Sequence, residues 1–228
     1  MRITEVYRSR QGEGLLTGTE SVFVRTGGCN LRCWFCDTPY TSWQRTGQLV
    51  SVEQLVPKIL SYDCRHVVIT GGEPMLFPDL VPLCEKLAAY DRHITIETAG
   101  TRYLPVVCHL MSLSPKLANS RPDPQRYPRW AEAHERRRYR PDVLARLTRE
   151  YEYQVKFVID HPDDCAELER YLRDLPHLDR DRILLMPQGT DPLLLARKAL
   201  WLKPYCVENG FRFCPRRQIE WYGPTRGT

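Results

Sequence analysis

The stretch GGCNLRCWFCDTPYTSW, Gly27 to Trp43, places three cysteines within eight residues. Cys29, Cys33 and Cys36 form a C-x3-C-x2-C pattern, and the remaining cysteines of the chain stand singly. Structural zinc sites use four ligands, usually as two C-x2-C pairs, so this pattern fits zinc poorly. Three thiolates without a fourth fit a [4Fe–4S] cluster that leaves one iron open to another ligand. The stretch therefore favours an iron–sulfur site, with zinc as the alternative.

The rest of the chain alternates between short apolar runs and amphipathic segments. The runs predict strands at 22–26, 66–70, 93–98, 106–114, 153–159 and 182–187. Apolar residues at helical spacing predict helices at 52–60, 79–89, 141–151 and 163–175. This alternation predicts right-handed βαβ units and a mostly parallel sheet, with ligands outside the carboxyl ends of the strands. At 228 residues, we expect a single α/β domain over 1–228.

An arginine-rich stretch interrupts the alternation at 118–150. It holds nine Arg, no Lys and five acidic residues, and it contains the proline-rich run RPDPQRYPRW at 121–130. This composition predicts an insertion whose first part is a solvent-exposed loop. The alternative is a site for an anionic partner such as RNA. Because the stretch lacks the aromatic and basic pattern of an RNA-binding module, we expect no nucleic-acid partner.

The composition also predicts the compartment. No run of apolar residues approaches the 18 that a membrane-spanning helix needs, so no membrane partner is expected. The opening MRITEVYRSRQGEG has no apolar segment typical of a secretory signal. Nine cysteines without a disulfide pattern suit a reducing environment. These features favour a cytoplasmic location.

A second motif, TGGEP at 70–74, follows one of the predicted strands. Alone it fits a simple strand-end turn, but together with the cysteine motif it resembles the radical S-adenosylmethionine (SAM) superfamily. The resemblance implies that the open iron binds SAM and that one electron cleaves it to a 5′-deoxyadenosyl radical. Glycine lacks a Cβ, so the GGEP backbone can approach the methionyl ammonium closely. Glu97 would reach the ribose hydroxyls, unless it is only a solvated strand end.

Further segments narrow the resemblance from the superfamily to one family within it. The chain resembles the 7-carboxy-7-deazaguanine synthase family in a set of short segments along its length. They are QGEG at 11–14, VFVRTGGCNLRCWFCDT, ITGGEP, IETAG, SLSPKLAN, LLMPQGT and WYGPTRGT. The match runs almost end to end, interrupted mainly by the arginine-rich stretch. It implies an incomplete, reduced barrel with mostly parallel strands, and a homodimer. It also implies conversion of 6-carboxy-5,6,7,8-tetrahydropterin to 7-carboxy-7-deazaguanine, with loss of ammonia, in queuosine and 7-deazapurine biosynthesis.

The resemblance also implies roles for individual residues. The pterin would meet Gln11, Gly12, Glu13, Arg25 and Thr70. SAM would meet Phe35, Asp37, Gly71, Gly72, Glu73, Glu97, Ser114, Lys116, Met186, Gln188 and Gly189. Thr38 would ligate Mg²⁺ through its hydroxyl, a hard donor of the kind this ion prefers. The alternatives are a surface arginine at 25 and a turn hydrogen bond at 38.

One partner, one open question about the C-terminus and two competing functions remain from the sequence. The family resemblance implies an external one-electron reductant of the flavodoxin or ferredoxin type. It leaves open whether Gln218, Tyr222 or the terminal carboxylate closes over the pterin. A glycyl-radical-enzyme activase shares the cysteine and GGEP motifs but not the pairing of QGEG with Arg25. A zinc-dependent nucleic-acid-binding module is the alternative from another class.

Overall fold

The structure is a computed structural model that describes residues 1–44, 46–223 and 225–227. Within these ranges one sheet holds nine strands. Their order across the sheet is β3 (Gln48–Leu49), β1 (Arg2–Arg10), β2 (Glu20–Thr26), β4 (His66–Gly71), β5 (His93–Thr98), β6 (Leu110–Leu113), β7 (Tyr153–Ile159), β8 (Ile183–Pro187) and β9 (Arg212–Phe213). Strand β1 runs antiparallel to β2 and β3, and every neighbouring pair from β2 to β9 is parallel. The order does not close on itself. The expected mostly parallel, incomplete barrel is therefore confirmed.

Five predicted strands are found close to their expected bounds, and a sixth is shorter. They are β2 Glu20–Thr26, β4 His66–Gly71, β5 His93–Thr98, β6 Leu110–Leu113, β7 Tyr153–Ile159 and β8 Ile183–Pro187. The expected strand at 106–114 shortens because its pairing with β5 begins only at Leu110. The sequence did not predict β1 Arg2–Arg10, β3 Gln48–Leu49 or β9 Arg212–Phe213. Strand β1 carries polar residues on much of its length, so it lacks the apolar run that marks a buried strand.

The four predicted helices are present, and four more accompany them. The predicted ones are α2 Val52–Leu60, α3 Leu80–Ala89, α5 Pro141–Glu150 and α6 Asp164–Asp174. The additional ones are α1 Pro39–Ser42, α4 Pro128–Arg138, α7 Pro192–Asn209 and α8 Arg217–Tyr222. Within the described ranges, no helix is long and apolar enough to cross a membrane.

The expected exposed loop is present at 121–127, and helix α4, which the sequence did not predict, follows it from Pro128. The helix begins at Pro128, a residue that suits the first helical position. It buries Ala131, His134 and Arg138. The Arg138 guanidinium pairs with the carboxylates of Glu135 and Glu167. The sequence does not predict this helix because small residues and partly buried ion pairs hold it, rather than an apolar stripe.

One face of the sheet packs against the main apolar core, and the other lines a cavity. On β7, Val155 and Phe157 point into the main apolar core, where helical residues such as Tyr171 pack against them. The alternate residues Lys156 and Val158 line a cavity on the other face. Because successive side chains of a strand point to opposite faces, one strand serves both the core and the cavity.

Candidate active site

A cavity of about 400 Å³ lies at the carboxyl ends of the parallel strands. It collects every residue assigned to a site from the sequence except Glu73. They are Gln11, Gly12, Glu13, Arg25, Cys29, Cys33, Phe35, Cys36, Asp37, Thr38, Thr70, Gly71, Gly72, Glu97, Ser114, Lys116, Met186, Gln188 and Gly189. Residues from widely separated parts of the sequence thus share one site, at the edge where ligands of parallel sheets bind.

The three cysteines of the opening motif face this cavity from the loop after β2. Leu31 N–H donates to Cys29 Sγ over 3.4 Å, and Ser42 Oγ donates to Cys36 Sγ over 3.2 Å. Burial raises the pKa of the Cys29 and Cys33 thiols to about 12. A metal group must therefore displace both thiol protons when it binds.

The donor set fits a [4Fe–4S] cluster. Three thiols share one cavity, and each thiolate of such a cluster binds a different iron. Among the described residues, no three or more His, Cys, Asp or Glu side chains lie close enough together to hold a single metal ion. The geometry therefore gives no support to the zinc alternative.

The GGEP segment packs its backbone against the cysteine loop. A Cβ on Gly72 would lie 2.0 Å from the carbonyl oxygen of Gly28, and Gly71 has a φ of +127°. Neither position accepts a side chain without movement. The close approach leaves the Gly71 and Gly72 backbone exposed to the cavity beside the cysteines.

The Glu73 side chain, by contrast, points away from the cavity. Its carboxylate is fully buried and accepts hydrogen bonds from Thr98 Oγ1 at 2.7 Å, Ala99 N at 2.8 Å and Met75 N at 3.0 Å. Burial raises the pKa of Glu73. The side chain thus ties the GGEP turn to the end of β5, and the contact of Glu73 with SAM stays a prediction for its backbone.

The polar groups expected to hold SAM stand at the ends of β5, β6 and β8. Glu97 accepts a 2.8 Å hydrogen bond from Thr70 Oγ1. Lys116 Nζ donates to Ser114 Oγ over 2.7 Å. Gln188 follows β8 and donates its backbone N–H to Ile159 O over 2.8 Å. The donor and acceptor groups therefore surround the cavity from several strands rather than from one loop.

Arg25 stands between an internal carboxylate and a tyrosine. Its Nε donates to Glu5 Oε2 over 3.0 Å, and Nη2 donates to Tyr7 Oη over 2.7 Å. A guanidinium has five N–H donors, so these two bonds leave three for a ligand. Tyr7 and Phe23 stack with their ring centroids 5.3 Å apart and form an aromatic wall of the cavity.

A buried charge network stands beside this wall. Glu13 pairs with Lys156 and Arg216, and it accepts a hydrogen bond from Gln218 Nε2. Burial alone would raise the pKa of Glu13, but the charges of Lys156 and Arg216 outweigh burial and lower it to about 2. Glu13 therefore remains a carboxylate at neutral pH.

Several residues of this network were missed from the sequence. Lys156 carried a signal, because a lysine inside the buried run YQVKFVI needs a partner. Arg216 carried none, because nothing local distinguishes it from a surface arginine. In the structure its Nη1 donates to Gly189 O over 2.6 Å, and its Nη2 donates to Asp37 Oδ2 over 2.5 Å.

Thr38 precedes helix α1 and lines the cavity next to Cys36. Its backbone carbonyl accepts a 2.8 Å hydrogen bond from Thr41 Oγ1, but its own hydroxyl does not cap the helix. Among the described residues, the hydroxyl oxygen has only longer contacts, 3.3 Å to Thr41 Oγ1 and 3.8 Å to Cys36 Sγ. The turn is thus held by Thr41, which leaves the Thr38 hydroxyl available to the cavity.

The C-terminal helix α8 closes over the QGEG loop. A Cβ on Gly12 would lie 2.2 Å from Gln218 Oε1, so the glycine permits this close packing. Gln218 lines the cavity, and its buried Oε1 has no hydrogen-bond partner among the described residues. Tyr222 instead accepts a 3.3 Å hydrogen bond from Arg10 Nε. The terminal carboxylate of Thr228 lies outside the described residues.

Comparison with known proteins identifies the family to which the chain belongs. Residues 23–115 match the model of the radical SAM superfamily. A 7-carboxy-7-deazaguanine synthase of Rhodopirellula baltica is 46% identical over 227 residues, covering 99% of this chain and 88% of the relative. The chain belongs to the 7-carboxy-7-deazaguanine synthase family. A family member from Halobacterium salinarum is 41% identical over 95% of this chain and 88% of its own length.

Solved structures agree with this assignment. QueE from Escherichia coli has a TM-score of 0.70 and 25% identity, covering 95% of this chain and 93% of that one. SuiB from Streptococcus suis has a TM-score of 0.53 and 14% identity, covering 85% of this chain and 48% of that one. The second match shows the shared fold alone.

Proposed function

We propose that this chain is a radical SAM enzyme that converts 6-carboxy-5,6,7,8-tetrahydropterin to 7-carboxy-7-deazaguanine with loss of ammonia, in queuosine and 7-deazapurine biosynthesis. The product is the one in the name of relatives that match almost the full chain. The observation that carries the proposal is the convergence of the cysteine motif, the GGEP turn, the QGEG loop and Arg25 on one cavity. A glycyl-radical-enzyme activase, the alternative function, lacks the pairing of the QGEG loop with Arg25.

Cys29, Cys33 and Cys36 would hold the [4Fe–4S] cluster. Such a cluster would supply the electron for reductive cleavage of SAM, and hence the radical needed to remove a hydrogen from C6 of the pterin. The chain itself positions SAM through the groups that face the cavity. These are Phe35, Asp37, the backbone of Gly71 to Glu73, Glu97, Ser114, Lys116, Met186, Gln188 and Gly189.

The other side of the cavity would bind the pterin. Arg25 offers its remaining N–H donors to the substrate carboxylate, a match that suits the planar guanidinium fork. Tyr7 and Phe23 offer an aromatic face to the flat ring system. Gln11, Gly12, Glu13 and Thr70 complete this half. Because Glu13 remains ionised, it accepts hydrogen bonds from the N–H groups of the pterin.

Thr38 would place a Mg²⁺ ion between the cluster loop and the substrate. Mg²⁺ prefers six oxygens, keeps several waters and often takes its remaining ligands from the substrate. The Thr38 hydroxyl lines the cavity and leaves the adjacent helix uncapped, which suits a ligand role. The ion would orient the pterin and stabilise negative charge on it.

Three further expectations accompany this function. One domain spans 1–228, with 118–150 inserted in it. An external one-electron carrier of the flavodoxin or ferredoxin type reduces the cluster. The cysteines of the chain are all free, which suits a reducing compartment such as the cytoplasm.

The family resemblance also implies a homodimer, and helix α7 offers a surface for it. Leu193, Leu200 and Val207 recur every seven residues on this helix and are 73%, 78% and 82% exposed. A second copy of the chain would cover this apolar stripe. Light scattering of the wild type and Leu200→Glu tests the contact. A monomeric wild type would contradict it.

The direct test of the function is anaerobic. Protein reconstituted with iron and sulfide is incubated with the carboxytetrahydropterin, SAM and dithionite, and the products are identified by mass spectrometry. Formation of 7-carboxy-7-deazaguanine supports the proposal. A protein that holds the cluster and cleaves SAM but leaves the pterin unchanged contradicts it.

A further inference from the structure

One guanidinium contacts both halves of the cavity. Arg216 precedes helix α8, and its side chain is only 7% exposed. Its Nε donates to Glu13 Oε1 over 3.2 Å, on the side that we assign to the pterin. Its Nη1 donates to Gly189 O over 2.6 Å and its Nη2 donates to Asp37 Oδ2 over 2.5 Å, on the side that we assign to SAM. Each of its three nitrogen atoms therefore holds a different residue.

The three partners of Arg216 come from separate parts of the chain. Glu13 lies between β1 and β2, Asp37 follows the cysteine motif, and Gly189 follows β8. A guanidinium is planar and its N–H donors point in fixed directions, so three simultaneous hydrogen bonds fix the relative positions of the three partners. An ammonium group is a point charge on a flexible chain and lacks this fixed geometry.

The main chain on either side of Arg216 is held as well. Cys214 N–H donates to Leu185 O over 2.9 Å, which ties the preceding segment to β8. Arg217 N–H donates to Gly12 O over 2.9 Å, which ties the following segment to the QGEG loop. The guanidinium therefore extends from a fixed backbone, so little side-chain entropy is left to lose when ligands bind.

Two neighbouring side chains make comparable contacts on one side each. Gln218 Nε2 donates to Glu13, and Lys198 Nζ donates to Gln188 O over 2.6 Å in the turn after β8. Among the described residues, neither Gln218 nor Lys198 forms a side-chain hydrogen bond or ion pair with the opposite side of the cavity. Of these three side chains, only that of Arg216 contacts both sides.

We propose that Arg216 is a positioning residue that fixes the pterin side of the cavity relative to the SAM side. The inference rests on the proposed function, from which it takes the two ligands. Without the guanidinium, Glu13 is no longer tied to Asp37 and Gly189, so both ligands lose groups held in place for them. Their reacting atoms are then no longer kept at one separation, and misplacement by about 1 Å can slow a reaction on the order of 100-fold.

The test measures ligand binding to protein whose cluster is reconstituted and oxidised, so that no electron is available to cleave SAM. Equilibrium dialysis gives the Kd of SAM alone, and then the Kd of 6-carboxy-5,6,7,8-tetrahydropterin at a SAM concentration that saturates each variant. Arg216→Gln should raise both Kd values roughly tenfold or more, since partners that orient a binding group typically contribute 10- to 100-fold. Arg216→Lys should raise both by less, because the charge remains while the fork is lost.

Two variants are the matched controls. Gln218→Leu should raise the Kd of the pterin and leave that of SAM at the wild-type value. Lys198→Met should raise the Kd of SAM and leave that of the pterin unchanged. If Arg216 acts on one side alone, Arg216→Gln will reproduce one of these two patterns.

Reduction with dithionite gives a second readout, at saturating SAM and pterin. The ratio of 5′-deoxyadenosine released to 7-carboxy-7-deazaguanine formed should rise in Arg216→Gln, because SAM is then cleaved beside a displaced substrate. Loss of folded protein would instead lower both products together and leave their ratio unchanged.

Iron content and circular dichroism identify the variants that are folded and carry the cluster. A wild-type Kd for either ligand, or an unchanged product ratio, in folded Arg216→Gln overturns the inference and leaves the proposed function intact. If Arg216→Gln does not fold, Arg216→Lys decides: a rise in both Kd values supports the inference, and a rise in one or neither overturns it. A wild-type protein that binds SAM but not the pterin refutes the proposed function and the inference together.

Discussion

Arg25 on β2 donates a 3.0 Å hydrogen bond to Glu5 on β1, so the arginine expected to bind the substrate is already held by an internal carboxylate. The pair sits inside the cavity wall, where both side chains are largely buried. Glu5 also pairs with Arg226 and accepts a 3.1 Å hydrogen bond from Tyr40. These contacts fix the guanidinium in place, so that little side-chain entropy is lost when a ligand binds it.

Replacement of Arg25 tests its role in substrate capture. Arg25→Ala should lower kcat/KM for the pterin by roughly 30-fold or more, since losing one partner of a buried charged pair costs about 2–5 kcal/mol. Reductive cleavage of SAM without pterin should persist. Arg25→Lys is the matched control and should retain part of the activity, because it keeps the charge but loses the fork. Unchanged pterin kinetics in Arg25→Ala would mean that another residue binds the substrate carboxylate.

The cysteines give the second prediction. Cys29→Ala, Cys33→Ala and Cys36→Ala should each fail to retain a full cluster, because three thiolates are the whole protein contribution. Cys84→Ala and Cys165→Ala serve as controls, since these residues lie on the buried faces of α3 and α6. Iron content and the visible absorption spectrum report the result. A Cys33→Ala protein with full iron and full turnover would refute the assignment.

The low pKa of Glu13 predicts how stability depends on pH. The folded pKa of about 2 lies below the ordinary value of 4.5, so the stabilising contribution is fully present above pH 4.5. It is lost as the pH falls from about 4.5 to about 2, and it amounts to about 3 kcal/mol.

Urea unfolding of the metal-free protein between pH 7 and pH 3 checks this prediction. The free energy of unfolding of the wild type should fall more steeply below pH 4.5 than that of Glu13→Gln. Glu132→Gln, which removes a carboxylate from an exposed ion pair, is the control and should follow the wild type. Identical slopes for the wild type and Glu13→Gln would mean that Glu13 is not held as an ion in the folded state.

Thr38 gives a prediction about magnesium. Thr38→Ala should keep its cluster but lose most of the rate stimulation by added Mg²⁺, whereas Thr38→Ser should retain part of it because the hydroxyl remains. Thr41→Ala is a useful comparison, since Thr41 holds the turn through its hydrogen bond to the Thr38 carbonyl. A wild-type response to Mg²⁺ in Thr38→Ala would mean that Thr38 does not ligate the ion and serves only the turn.

The sequence predicts the buried parallel strands because each is a continuous apolar run, and it predicts the site because short motifs follow those strands. It misses β1 and α4 because polar residues and ion pairs, rather than apolar periodicity, hold them. It does not predict that the Glu73 side chain binds Thr98 and the backbone of Ala99 and Met75, because a motif does not show which way a side chain points. Arg216 is missed for a related reason, since its partners Asp37 and Glu13 are distant in the sequence.

One cavity brings the three cysteines expected to hold the cluster to the groups that would bind a carboxylated pterin. Single-turnover conversion of 6-carboxy-5,6,7,8-tetrahydropterin by the anaerobically reconstituted protein, with Cys33→Ala as the control, measures whether both halves of the cavity act in one reaction. We expect 7-carboxy-7-deazaguanine and ammonia to form in equal amounts, only with SAM and reductant present, and not with the variant. Wild-type protein with a full cluster that cleaves SAM yet forms no 7-carboxy-7-deazaguanine would contradict it.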